Sequence, residues 1–417
     1  MVVFSFVCGY VFFVVLFSLL SCFDCGPVFS AVPVFCKTVL AAFSAVKPEA
    51  RSHPNIPEKE IFIVKEKEEK ALPGISGPLL AWYSANRRSL PWRDDPSAYH
   101  VWISEIMLQQ TRVEAVKGYY SRFLEHFPDL RTLAEADEDT CLKMWEGLGY
   151  YSRARNLQKA ARIIVDEYEG EMPRSAKELK KLPGIGPYTA AAIASIAFGE
   201  RIPAIDGNLL RVFSRLALYE EEIRTPAAAS AAEDFFRKQM PADRPGDFNQ
   251  ALMDLGAGIC RPGSAPACGE CPLRQYCRAA EADRAAQLPV MPAKKARAIE
   301  KHTILVIRDD DRILLRRRPG RGLLAGLYEF PNESGWLSEE EAVSKAREYG
   351  CDPLRIRILP DARHIFTHKE WHMHGYEIRI GSFSGEEDPA GQCFTVQIRD
   401  LQEKYALPSA YSAYFPM

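Results

Sequence analysis

Residues 182–208 read LPGIGPYTAAAIASIAFGERIPAIDGN, and this stretch decides the fold of the region around it. A Gly/Pro-rich hairpin opens here into a helix of small residues. Gly184 and Gly186 lack a Cβ atom, so they can take positive φ and let another backbone approach closely. Two glycines just before a helix also leave free N–H groups that point forward and suit a phosphate. The stretch therefore predicts a helix-opening hairpin that can bind a phosphate.

The end of the same stretch, PAIDGN, places Asp206 between an apolar run and the amphipathic residues 209–218. Asp is a favoured residue at a helix N-cap, so a purely structural role is one interpretation. An ionised carboxylate beside a DNA backbone is the other. The two interpretations are compatible, because free N–H groups at a helix start hold Asp in its charged form.

Length and charge limit the class of protein. A chain of 417 residues is too long for one ordinary core, so two or three domains are expected. The formal net charge is −2, so any affinity for DNA must come from local patches and backbone N–H groups. The eleven cysteines are unevenly placed, unlike those of a short secreted disulfide scaffold.

Residues 1–72 are predicted to be an N-terminal extension. Residues 1–46 are apolar and long enough for a membrane span, but Lys37 is the first basic residue, so the charged start of a signal peptide is missing. A membrane anchor, a signal or transit segment and a dispensable extension are all open, and we favour the last. Residues 47–70 are highly charged, which is typical of a solvated linker.

The remaining chain divides into three parts by the pattern of its apolar, charged and proline residues. In residues 73–286 apolar side chains recur at intervals of three and four residues, which predicts an all-α domain. Residues 287–300 begin with QLPVMPAKKAR, a basic connector with two prolines. Residues 301–417 predict a separate α/β domain, with two strands around the acidic turn of KHTILVIRDDDRILLRRRP and a helix in SEEEAVSKAREYG.

Four cysteines lie within 18 residues, at Cys260, Cys268, Cys271 and Cys277. Such a density predicts a metal or a cluster that holds the loop. Four thiolates can bind Zn²⁺ or a [4Fe–4S] cluster, and their spacing alone does not decide between them.

These cysteines, following an LPG hairpin and a DGN motif, resemble the iron–sulfur members of the helix-hairpin-helix DNA glycosylases. Roughly residues 73–407 are similar to the adenine DNA glycosylases of the MutY type, through LPWR, SEIMLQQTRV, GLGYYSRARNL, LPGIGPYTA, DGN, GLLAGLYEFP and FTH. The resemblance implies a [4Fe–4S] cluster on the four cysteines. The first cysteine gap holds seven residues here, where the family pattern has six.

The resemblance also implies a catalytic pair. Glu105 takes the place of the general acid, and Asp206 that of the group that stabilises the sugar cation formed when adenine leaves. The residue types suit this reaction, since a leaving group needs an acid and an oxocarbenium-like transition state needs a carboxylate. Apolar neighbours around Glu105 should raise its carboxyl pKa, whereas the helix start should keep Asp206 charged, so opposite shifts are expected.

Tyr188 predicts the subtype of reaction. In the related endonuclease III family a Lys stands at this place and forms a Schiff base that cuts the strand. A tyrosine offers no amine for that chemistry, so a monofunctional glycosylase is expected, with Tyr188 contributing to catalysis.

The target base has to leave the duplex to be reached. By similarity, loop residues fill the gap: Gln110, Thr111, Leu148 and Tyr150. The same resemblance implies that the adenine pocket or its rim is formed by Arg88, Leu90, Trp92 and Gln250. Asn208 of the DGN motif joins the DNA contacts, and Gly184 and Gly186 hold a phosphate together with a monovalent cation.

The C-terminal domain resembles a Nudix fold through RRRPGRGLLAGLYEFP, but it lacks the acidic box that binds Mg²⁺, so pyrophosphatase activity is not expected. In the family a Phe-Ser-His loop recognises 8-oxoguanine, and here it reads Phe366-Thr367-His368. In a strand, Glu370, His372 and His374 would share a face, either as metal ligands or simply as a solvated surface.

The combined prediction is a multidomain base-excision-repair enzyme that releases adenine from pairs with 8-oxoguanine or guanine. We expect a monomer that works on double-stranded DNA in the cytoplasm, with no stable protein partner. Membrane contact through residues 1–46 stays open as the less favoured alternative. Two other functions remain open. One is a bifunctional lyase of the endonuclease III type, and the other is a non-enzymatic iron–sulfur protein that binds damaged DNA.

Overall fold

The computed structural model describes residues 74–263, 266–293, 296–383 and 393–415, with the side chain of residue 402 excepted. The chain divides into two units, Met1–Glu69 and Lys70–Met417, and all of the described residues belong to the second. The predictions for residues 1–72 therefore lie outside the described residues. Within the described ranges, no helix is both long and apolar enough to cross a membrane.

The first part of the described chain is helical, as the spacing of its apolar side chains predicted. Its helices are α1 (Ser76–Asn86), α2 (Pro91–Asp94), α3 (Ala98–Leu108), α4 (Val113–His126), α5 (Leu130–Glu135), α6 (Glu138–Met144), α7 (Ser152–Glu167), α8 (Ala176–Leu179), α9 (Pro187–Phe198), α10 (Gly207–Ala217), α11 (Pro226–Gln239), α12 (Pro245–Gly258) and α13 (Arg278–Glu281). Polar side chains cap several of them by accepting a backbone N–H, as Ser97, Asp129 and Thr225 do.

The helical part has two main hydrophobic cores, and the site lies between them. One core packs α3 against its neighbours around Trp102, Phe123 and Trp145. The other joins α1 to α10, α11 and α12 around Phe236 and Phe248. Because α3 belongs to the first core and α10 to the second, side chains from the two meet across the cleft.

The hairpin joins α8 to α9. Gly184 takes a φ of +77°, and a Cβ atom there would meet the Cβ of Asn156 at 2.7 Å. Both the backbone conformation and the close contact therefore require glycine at this position. Gly186 instead has a φ of −82° and is the N-cap of α9. Gly184 therefore uses the positive φ that is open to glycine, whereas Gly186 takes the extended backbone of a helix start.

The C-terminal part is built on a mixed sheet. Its elements are β1 (Ala298–Arg308), β2 (Arg312–Arg317), β3 (Tyr328–Glu329), β4 (Asn332–Ser334), α14 (Glu339–Glu348), β5 (Pro353–Ile365), β6 (Lys369–Ile380), β7 (Cys393–Gln397) and α15 (Leu401–Lys404). The strand order is β3-β2-β1-β6-β5, with β4 paired to β1 and β7 to β2. Only the β1–β6 pairing among these is parallel. The two predicted strands around the acidic turn and the predicted helix are confirmed.

The helical part and the sheet part pack together within one unit. The Glu146 carboxylate accepts the backbone N–H of Leu407 at 2.9 Å, and the Tyr328 hydroxyl donates to Asp139 at 2.8 Å. The start of the predicted connector is bound to the helices, since Arg215 donates to the Leu288 carbonyl. Its end already belongs to the sheet, because β1 begins at Ala298 rather than at residue 301.

Candidate active site

Glu105 is held in a helix that is buried nearly all round. Trp102, Ile103 and Met107 of α3 are fully shielded from solvent, and Glu105 itself is 6% exposed. Burial disfavours a charged carboxylate, and it raises the pKa of Glu105 to about 7. The desolvation predicted from the apolar neighbours is therefore present.

Tyr188 reaches Glu105 from the start of α9. Its hydroxyl donates a hydrogen bond to Glu105 Oε2 at 2.7 Å. That bond favours the charged carboxylate and lowers the pKa of Glu105, against the larger effect of burial. Burial, followed by the nearby carboxylates, raises the pKa of Tyr188 well above its usual value, so the phenol stays a neutral donor.

Asp206 is the N-cap of α10, as predicted. Its Oδ1 accepts the backbone N–H groups of Asn208 at 2.9 Å and Leu209 at 2.7 Å, and its Oδ2 accepts the Asn208 side-chain amide at 2.9 Å. These donors favour the charged form, but burial outweighs them and raises the pKa of Asp206. The predicted opposite shifts are therefore wrong, because both carboxyl groups sit in the same desolvated cleft.

A cavity of about 210 Å³ brings these groups together. It is smaller than the ~300–1,000 Å³ of pockets for drug-sized ligands, which suits a compact planar base. Nine of the predicted site residues line it, namely Arg88, Leu90, Trp92, Glu105, Thr111, Tyr188, Asp206, Asn208 and Gln250. The carboxyl groups predicted to act together thus share one space.

Sequence reasoning missed an ionic group on the wall of this cavity. The buried Asp254 carboxylate accepts Arg88 Nε at 2.7 Å, and from Arg93 it accepts Nη1 at 2.8 Å and Nη2 at 3.0 Å. Although burial opposes it, these two cations hold the pKa of Asp254 below its usual value. Two signals were available, since Arg93 is part of the LPWR motif and Asp254 follows Gln250 by one helical turn.

Arg211 was also missed. Its Nη2 donates to Asn208 Oδ1 at 3.0 Å and its Nε donates to the Cys260 carbonyl at 2.8 Å. The side chain that helps hold Asp206 is thereby tied to the cysteine loop.

A second cavity, of about 510 Å³, lies between the helical part and the sheet. Five predicted residues line it: Gln110, Tyr150, Phe366, Thr367 and His368. The Tyr150 hydroxyl and Thr367 Oγ1 are 2.7 Å apart, so a hydrogen bond joins the two loops. Leu148 lines neither this cavity nor the first and is buried in the core.

The four cysteines line a third, small cavity of about 30 Å³. The Ala267 N–H donates to the Ile259 carbonyl at 2.9 Å, which ties the end of the gap between the first two cysteines to its start. Across the described ranges, no group of three or more His, Cys, Asp or Glu side chains is arranged to hold a single metal ion.

The metal interpretation of the β6 face is wrong. Glu370 is engaged by Arg363 and by His372 Nε2 at 2.7 Å, and His374 pairs separately with Asp361 at 2.6 Å. Glu370 and His372 thus pair with each other while His374 pairs elsewhere, so the three side chains do not converge on one ion.

The described architecture matches known families in both of its parts. Residues 103–238 match the model of the HhH-GPD superfamily base excision DNA repair protein, and residues 302–416 match that of the NUDIX domain. Fold and cavity together define a base-excision-repair protein of the helix-hairpin-helix class with a C-terminal Nudix-like domain.

Among the relatives, the adenine DNA glycosylase of Mus musculus is 34% identical over 371 residues, covering 75% of this chain and 72% of the mouse protein. That of Arabidopsis thaliana is 37% identical over 70% of this chain and 54% of the plant protein. That of Buchnera aphidicola subsp. Baizongia pistaciae is 34% identical over 73% of this chain and 86% of its own length. The chain belongs to the adenine DNA glycosylase family. The predicted resemblance, the two-part fold and the enzyme class are confirmed, which sets aside the non-enzymatic alternative.

Proposed function

We propose that this protein hydrolyses the N-glycosidic bond of adenine paired with 8-oxoguanine or guanine, and that it leaves the DNA strand uncut. The observation that carries the proposal is the 2.7 Å hydrogen bond from Tyr188 to Glu105 in a cavity that Asp206 also lines. An acid, a neutral phenol and a second carboxyl group in one small cavity suit the departure of a base from a sugar.

Glu105 supplies the proton in this mechanism. With a pKa of about 7, its carboxyl group is half protonated at neutral pH, which is the range where a general acid works best. The adenine is flipped out of the duplex into the 210 Å³ cavity, and Glu105 protonates the ring. The bond to the sugar then breaks with adenine as a neutral leaving group.

Asp206 and Tyr188 act on the sugar. Positive charge develops on the sugar ring as adenine leaves, and the Asp206 carboxylate stabilises that charge until water adds. Three donors hold the carboxylate in place, so little reorganisation is needed during the reaction. Tyr188 carries no amine, and Schiff-base cleavage of the strand is therefore not expected.

The partner base is recognised at the 510 Å³ cavity. The loop Phe366-Thr367-His368 and the half-exposed Tyr150 ring both line this space. The Thr367 hydroxyl can both donate and accept a hydrogen bond, as recognition of 8-oxoguanine requires. Gln110 and Tyr150 fill the space that the flipped adenine leaves, and Gly184 and Gly186 bind a phosphate with a monovalent cation.

The four cysteines are proposed to hold a [4Fe–4S] cluster. Zinc would need all four sulfur atoms within about 2.3 Å of one ion, whereas a cubane cluster spreads its ligands over four iron atoms. The four thiols line one small cavity, and membership of the adenine DNA glycosylase family favours the cluster there. When bound, the cluster supplies structural anchoring of the loop beside α10. Arg215 adds to that loop by donating to the Arg261 carbonyl at 2.8 Å.

The test is adenine release from A:8-oxoguanine and A:guanine duplexes, measured with and without alkaline cleavage of the strand. Wild-type protein should release adenine and yield strand breaks only after alkali. Glu105→Gln, which keeps the shape of the side chain, should abolish release and retain binding to the mispair. Turnover by this variant would overturn the role of Glu105, and borohydride trapping of a covalent complex would overturn the monofunctional mechanism.

A further inference from the structure

Arg153 is a buried cation that the proposed reaction does not use. It lies in the first turn of α7 and is 8% exposed. Its guanidinium donates to three carbonyls around the end of α3 and to two carbonyls of the loop between α6 and α7. These are the carbonyls of Ile106 (2.7 Å), Met107 (2.9 Å), Gln109 (2.7 Å), Leu148 (3.0 Å) and Gly149 (3.1 Å). It therefore bridges two segments that are distant in sequence.

The charge of Arg153 is balanced without a carboxylate. Throughout the described ranges it takes part in no ion pair, and its guanidinium instead lies 5.2 Å from the Trp145 ring centre and 5.6 Å from that of Tyr150. The carbonyls of Ile106 and Met107 belong to the last turn of α3, where helix carbonyls lack internal partners and a cation is favoured. Arg153 thus caps the helix that carries Glu105.

The two bridged segments share an unusual backbone conformation. Gln110 has a φ of 59° and Tyr150 a φ of 48°, in the left-handed region that residues with a side chain rarely adopt. Such conformations persist only where surrounding contacts fix them. Arg153 supplies these contacts, because it binds the carbonyl immediately before each of the two residues.

We propose that Arg153 is a positioning residue that locks the loop of Gln110 and the loop of Tyr150 into one rigid element, fixed to the end of α3. The inference rests on the proposed function, in which these loops enter the DNA when adenine is flipped out. One guanidinium then presents both side chains at a set separation. The separation of the two side chains should therefore affect discrimination between mispaired and matched DNA more than it affects the rate of the chemical step.

The test compares Arg153→Lys with the wild-type protein. Lysine keeps the charge, but its three donors leave one nitrogen and cannot span carbonyls of both loops. We expect the ratio of dissociation constants for matched and mispaired duplexes to fall at least about tenfold. The fluorescence change of 2-aminopurine placed at the target position should shrink in parallel. The single-turnover rate at saturating DNA should change by less than about threefold. The pH midpoint of that rate should not change.

Arg162→Lys is the matched control. Arg162 lies on the same helix and likewise donates to backbone carbonyls, those of Ala134 at 2.9 Å and Ala136 at 3.1 Å, away from both loops. The Arg162→Lys variant should lose stability and keep the wild-type discrimination between mispaired and matched duplexes. Wild-type discrimination in Arg153→Lys would overturn the inference, as would equal losses in the two variants.

Two outcomes separate this inference from the proposed function. If wild-type protein releases no adenine, the proposed function fails, whereas an active wild type with an unaffected Arg153→Lys defeats only the positioning role. Should Arg153→Lys not fold, amide hydrogen exchange on the wild-type chain provides the test. Residues 109–111 and 147–150 should then open at one common rate, and separate rates for the two loops would refute the inference.

Discussion

Replacing Tyr188 by Phe removes the hydroxyl that donates to Glu105 and leaves the ring in place. In the wild-type protein this bond favours the charged form of Glu105, while burial favours the neutral form and sets the pKa at about 7. Without the hydroxyl, burial acts with less opposition. The pKa of Glu105 should therefore rise, and the carboxyl group should keep its proton to higher pH.

The size of the shift follows from the strength of the bond. A hydrogen bond to a charged group contributes about 1.5–3 kcal/mol, and one pKa unit corresponds to about 1.4 kcal/mol. The pKa of Glu105 should rise by about one to two units in Tyr188→Phe. Because the protonated form is the active one, the alkaline fall in rate, which begins near pH 7 in the wild type, should move upward by the same amount.

Single-turnover adenine release at saturating mispaired DNA, measured from acidic to alkaline pH, gives the midpoint directly. Tyr99→Phe is the matched control, since the buried Tyr99 hydroxyl donates to the Phe127 carbonyl at 2.8 Å and does not touch Glu105. The plateau rate of Tyr188→Phe should fall as well, because Tyr188 also acts on the sugar. The pH midpoint is therefore the quantity that tests the prediction. A midpoint that stays at the wild-type value, or moves to lower pH, would refute this account of Glu105.

Two further predictions concern the walls of the cavities. Asp254→Asn should raise KM for mispaired DNA about tenfold and lower the free energy of unfolding by about 2 kcal/mol. The loss of stability is smaller than the ~3–5 kcal/mol of fully buried pairs because the Arg88 side chain is 39% exposed. The control Asp247→Asn, which breaks the exposed ion pair with Arg244 at the start of the same helix, should leave KM unchanged. Thr367→Val keeps the shape of Thr367 and removes its bond to Tyr150, so it should reduce the preference for 8-oxoguanine over guanine by about tenfold in competition assays while A:guanine release persists.

Much of the fold and some of the site follow from local sequence. The N-cap at Asp206, the helical spacing of residues 73–286 and the strand pair around the acidic turn depend on neighbours within a few positions. The same holds for the desolvation of Glu105, which its own apolar neighbours on α3 predict. Such features were predictable because short-range sterics, capping and periodicity act along the chain itself.

Other features were settled only when distant segments met. Tyr188 and Glu105 are 83 residues apart in sequence, and Arg153 donates to carbonyls up to 47 residues away. The pKa of Asp206 rises although its own helix start favours the charged form. Desolvation sums over every element packed around a group, and a backbone carbonyl accepts a distant donor regardless of its side chain. For that physical reason the family and the burial of Glu105 could be predicted from the sequence, whereas the pKa of Asp206 and the Arg153 contacts were decided by tertiary packing.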